Sequence, residues 1–131
     1  MKRFFLVLIS LSLTTLSFAQ NITHTFVSTD IDNFWIAYEN IISTKDSIKR
    51  YNYLKELYFD KGTKGLKSLI DVRNYTEKEF IDGITKYPKF WNSLKSNTLK
   101  VKTLYPKIDA DIQKLKRAYP ELKPASIYFA I

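Results

Sequence analysis

Between residues 31 and 42 the side chains Ile31, Phe34, Trp35, Tyr38, Ile41 and Ile42 recur at intervals of three and four. That spacing paints one face of a 3.6-residue helix, and a helix striped on one side is stable only when the stripe lies against other elements. Ser28-Thr29-Asp30 precedes it with side-chain oxygens suited to the orphan N–H groups of a helix start. The same period returns through most of the chain, so the sequence is committed to a mainly helical fold.

Thr44 is the expected cap of a second helix with the stripe Ile48, Tyr51, Leu54, Leu57 and Tyr58, and Gly62 suits a left-handed stop after Asp60-Lys61. A short third helix carries Leu66, Leu69, Ile70 and Val72 and breaks at Asn74-Tyr75. Thr76 followed by Glu79 forms a capping box for a fourth helix with Phe80, Ile81, Ile84 and Tyr87. Pro88 ends that helix and suits the first position of a fifth, bearing Phe90, Trp91 and Leu94. Ser96-Asn97 is expected to open the longest segment, Val101 to Tyr119, with a kink or a new start at Pro106. From Ala125 to Ile131 the period changes to two, which reads as a strand. The expected fold is a compact bundle of about five to six helices with one C-terminal β-strand.

A lone strand leaves its ladder bonds unmade. Two accounts follow. The strand docks on the helices or pairs with an early segment such as Ile22 to Val27, or the chain is the front part of a longer protein in which a sheet begins here.

The other end of the chain reads as an address. Met1-Lys2-Arg3 is basic, Phe4 to Leu16 is nearly unbroken apolar sequence, and Ser17-Phe18-Ala19 places small residues before Gln20. These are the three parts of a cleavable signal peptide over residues 1–19, too short for a transmembrane span. Residues 20–29 read as a polar lead-in and residues 30–131 as one helical domain. The product is expected to be exported, to the periplasm, cell surface or medium, with no membrane span after cleavage. Its 112 residues keep a formal charge of +6 out of the whole chain's +8. The lysines are scattered singly between apolar positions, which reads as a solvated helical surface, so no nucleic-acid partner is expected. An envelope protein, an acidic envelope polymer or anionic lipid remains as the partner class. Cysteine is absent, which excludes disulfides, thiol catalysis and cysteine zinc sites.

Several blocks resemble a known family when taken together. They are Asp30-Ile31-Asp32-Asn33-Phe34-Trp35-Ile36-Ala37-Tyr38, Ser43 to Ser47, Tyr58-Phe59-Asp60-Lys61-Gly62-Thr63-Lys64-Gly65-Leu66, Arg73 to Thr76, Tyr87 to Ser93 and Leu122 to Phe129. The set is similar to the N-terminal, pre-catalytic region of bacterial envelope proteins described as predicted zinc-dependent proteases. That family is similar in turn to a gliding-motility lipoprotein family of the Bacteroidota. The resemblance implies that the final strand leads into a sheet and then to an HExxH helix that binds zinc. This sequence has no HExxH, so the family's metal ligands have no positions here to be carried onto. The expectation is an exported helical domain, not catalytic by itself and without a cofactor of its own. The alternative is a complete small binding module for a peptide, glycan or partner protein.

Candidate sites are few. His24 is the sole histidine, and zinc needs three or four ligands. Asp30 and Asp32 read as helix-start anions, and Asp109 and Asp111 as solvated charges. Catalytic and metal-binding residues are therefore expected to be none. Phe34, Trp35, Tyr38, Phe90 and Trp91 are the candidates for an aromatic groove, with core packing as the competing role.

Overall fold

The computed structural model describes residues 23–131; the expected signal peptide lies outside the described residues. The first stripe builds helix α1, Thr29–Ile42, which buries Ile31, Phe34, Trp35, Ala37, Tyr38 and Ile41 at the centre of the molecule. Ile42 closes the sequence pattern but is exposed, because the helix ends there and its last turn overruns the core.

Helix α2, Ser47–Leu54, is capped by Asp46, whose Oδ1 accepts from the N–H groups of Ile48 at 2.9 Å and Lys49 at 3.1 Å. Thr44, the expected cap, sits two residues earlier and accepts from the N–H of Asp46 at 3.1 Å. Starting the helix later turns Ile48 outward, 71% exposed, while Leu54 is buried. The backbone then widens into one π turn, Lys55–Phe59, closed by the Asp60 N–H on the Lys55 carbonyl at 2.8 Å. That extra residue per turn brings Tyr58 into the core.

Helix α3, Lys64–Arg73, starts at Thr63 and stops at Asn74, whose φ of 53° and ψ of 37° are left-handed. The left-handed stop expected at Gly62 is not there, since no glycine has a positive φ among the described residues. Gly62 is needed for space: a Cβ would lie 3.0 Å from both the Leu66 side chain and the Phe59 carbonyl. Val72, assigned to the third stripe, is 77% exposed because α3 buries only the flank holding Leu66 and, in part, Ile70.

Helix α4, Glu77–Lys86, opens on the expected capping box of Thr76 and Glu79. Helix α5, Pro88–Leu99, has Pro88 in its first turn. It runs straight through Ser96-Asn97, where a new segment was expected, because Thr98 and the residues before it keep bonding back along the helix. A 3₁₀ turn, Val101–Leu104, leads into α6, Tyr105–Ala118, so Pro106 marks a new start and not a kink.

Strand β1, Thr25–Val27, pairs in parallel with β2, Ser126–Tyr128, in the register Thr25 with Ser126. The lead-in is therefore partly strand, and the C-terminal strand is shorter than the alternation over residues 125–131 implied. The Phe129 N–H adds one more ladder bond, to the Val27 carbonyl at 2.8 Å. Helix α6 covers the sheet through Tyr105, whose ring stacks on Phe26 at 4.8 Å and on Phe129 at 5.5 Å.

Gly65 is where β2 meets α3. A Cβ on Gly65 would lie 2.3 Å from both Cβ and Cγ of Tyr128, atoms fixed to the strand backbone. Gly65→Ala is therefore expected to lose about 2 kcal/mol through overpacking and to lower Tm by roughly 10 °C. An unchanged thermal melt would mean that strand and helix do not make this contact.

Candidate functional site

A surface cleft lies where α4 meets α5. Tyr75, Glu79, Phe80, Gly83, Trp91 and Ile131 line an open, mostly apolar cleft of about 240 Å³. Each wall is set by local chemistry. Asn74 turns the chain left-handed and delivers Tyr75 to one rim, where its ring meets Phe80 edge-on at 5.8 Å. Trp91 is fixed from behind, its Nε1–H donating to the Gly83 carbonyl at 3.0 Å. Gly83 has open space where a side chain would stand, which leaves the cleft floor uncovered.

Glu79 supplies the cleft's charge. Its Oε2 accepts from the Thr76 N–H and from the Thr76 hydroxyl, both at 2.9 Å. The backbone bond from Thr76, followed by the hydroxyl bond, holds this carboxyl below the usual glutamate range. An anion thus stands at one side of an aromatic hollow, able to face a cationic end of a bound group.

Behind the cleft lies a buried polar layer. The Tyr58 hydroxyl donates to the Ile131 carbonyl, and burial pushes its pKa far above the ordinary tyrosine value, with the nearby Asp30 charge adding to the rise. Asp30 is fully buried and does not cap its own helix; Ser28 holds that position without a side-chain bond. Its Oδ1 accepts from the Thr63 N–H at 2.9 Å and its Oδ2 from the Thr63 hydroxyl. The carboxylate therefore ties the start of α1 to the start of α3. Asp32 is different: it points outward and pairs with Lys102 at 3.0 Å.

The five aromatic candidates are not brought together in one groove. Phe34, Trp35 and Tyr38 are buried in the core, with the Phe34 ring within 5.1 Å of both Trp35 and Trp91 and 5.3 Å from Tyr58. Trp35 and Tyr38 bond to α5, through Thr98 Oγ1 at 2.9 Å and Asn92 Oδ1 at 3.3 Å. Of the five, only Trp91 reaches the cleft. Phe90 lies in a separate hollow with Lys86, Tyr87, Pro88 and Lys89. Tyr75, Phe80 and Glu79 were missing from the sequence reading as cleft residues; the capping box was visible, but not that its carboxylate stands beside a hollow.

His24 is placed by the sheet. Its Nδ1 lies against the Ala125 backbone, 3.2 Å from the N–H and 3.3 Å from the carbonyl oxygen. Among the described residues no group of three or more His, Cys, Asp or Glu side chains is arranged to hold a metal ion. The zinc that the resemblance implies belongs to an HExxH helix, and no residues of this sequence match that motif. No helix among the described residues is long and apolar enough to cross a membrane. Compared with protein-family models, with curated proteins and with solved structures, the chain matches none.

Proposed function

We propose that the chain is an exported, non-catalytic helical domain, of the kind that precedes the metal-binding part in the predicted zinc-dependent proteases it resembles. Its work in this reading is to carry a sheet and not to cut. The observation that supports it is the small parallel sheet. Two parallel strands of three residues make few ladder bonds and bury little, and parallel pairs ordinarily belong to wider, covered sheets. With Thr25 N–H on the Ala125 carbonyl and Phe129 N–H on the Val27 carbonyl, the ladder's alternation turns the backbone groups of Ser126 and Tyr128 to the outer edge. That edge is a template for a further strand.

The test uses residues 20–131, first shown to melt cooperatively. Zinc titration by calorimetry and incubation with casein are expected to give no stoichiometric zinc binding and no cleavage. Either stoichiometric zinc or casein fragments would overturn the reading.

A second reading, a binding module for a peptide, glycan or partner protein, is favoured by the cleft itself. Its aromatic lining and the Glu79 carboxylate suit a peptide side chain that joins an apolar body to a cationic end.

A further inference from the structure

The net charge of the described residues lies wholly in one part of the chain. Residues 23–87 hold ten lysines and arginines against ten acidic residues, while residues 88–131 hold nine against three. The second part is α5, the 3₁₀ turn, α6 and β2 with the segments joining them. Of its nine cations, Lys95, Lys102 and Lys114 pair with Glu39, Asp32 and Asp111, and Lys116 donates to the Pro120 and Leu122 carbonyls. Lys89, Lys100, Lys107, Arg117 and Lys123 make no ion pair among the described residues.

The same part exposes apolar side chains. Helix α6 has no fully buried residue. One side of its stripe, Tyr105, Ile108 and Ile112, is half-buried against the rest of the protein. Beside it Leu104 at the end of the 3₁₀ turn, Leu115 in α6 and Tyr119 just past the helix stand 51–56% exposed and make a ridge. Lys107 and Lys114, seven residues apart and so on one helix face, stand beside that ridge, with Asp111 between them and paired to Lys114.

We infer that this face docks on an anionic phospholipid bilayer, with α6 lying along the surface and the Leu104–Leu115–Tyr119 ridge entering the headgroup region. Charge complementarity names the partner's sign, and the ridge names its class. A soluble polyanion would meet the lysines and leave two leucines and a tyrosine in water. An interfacial helix needs apolar and cationic side chains side by side. A second copy of the chain is disfavoured, because the same face would bring two uncompensated positive regions together. The protein would rest on the bilayer and not span it, as no described helix is long and apolar enough to cross. This inference does not depend on the zinc-protease resemblance, and its readout contains neither metal nor proteolysis.

Cosedimentation of residues 20–131 with mixed phosphatidylglycerol–phosphatidylcholine vesicles, compared with phosphatidylcholine alone, tests it. Binding is expected to be about tenfold stronger to the anionic vesicles and to weaken with added salt. The double variant Lys107→Glu, Lys114→Glu should lose that preference. The double variant Leu115→Ser, Tyr119→Ser should bind about tenfold more weakly while melting like the parent, since both side chains are already exposed. Equal binding to both vesicle types overturns the inference. So does a serine variant that binds like the parent while heparin competes fully, which would assign the face to a soluble polyanion.

Discussion

Asp30→Ala is expected to lower stability by about 3 kcal/mol and Tm by roughly 15 °C. The carboxylate is completely buried and accepts both the backbone N–H and the hydroxyl of Thr63. Removing it leaves two donors at the start of α3 without their acceptor, and bonds to a charged acceptor are the stronger kind. Relief from burying a charge works in the opposite direction, but breaking one side of a satisfied buried group ordinarily outweighs it. Asp30→Asn keeps the shape and one acceptor, so it should lose less than half as much. Urea unfolding of both variants checks the order. An alanine variant as stable as the parent would show that the α1–α3 tie contributes nothing.

Phe34→Ala should be the most damaging single truncation, at about 4 kcal/mol. Its fully buried ring touches the aromatic rings of Trp35, Tyr38, Tyr58 and Trp91, so its removal opens a cavity shared by α1, the π turn and α5. A domain this size has about 5–15 kcal/mol in total, so the variant should be largely unfolded at moderate urea concentrations where the parent is native. Trp91 emission should shift to the red with it. Phe34→Leu, which refills most of the space, should recover the greater part. Equal midpoints for Phe34→Ala and the parent would remove Phe34 from the centre of the core.

The helical architecture was legible because its signals are local. A stripe of period 3.6, a Thr76–Glu79 box, Pro88 in a first turn and Pro106 at a fresh start each act within one or two turns. What escaped depends on residues far apart. Strand β1 is three residues long, too short to show a period, so its segment could be named only as one possible partner of the final strand; it is extended because β2 lies beside it. Asp30 looks like a helix-start anion until Thr63, 33 residues away, arrives at its oxygens. Ile48 and Val72 carry the right residue type for a stripe, but α2 starts two residues late and α3 buries only one flank. The cleft was invisible for a related reason: Tyr75, Phe80 and Trp91 converge only once the left-handed Asn74 and the Tyr87–Pro88 corner have set the directions of three segments.

The parallel pairing of residues 25–27 with 126–128 also sets a clock. A ribosome extends a chain at roughly 5–20 residues per second, so β2 leaves it roughly 5–20 s after β1. During that interval Phe26 has neither its partner strand nor the Tyr105 ring over it, and α1 has been made long before most of what it buries against. The sheet is thus the last part of the fold to close, after every residue of the helical core has been synthesised.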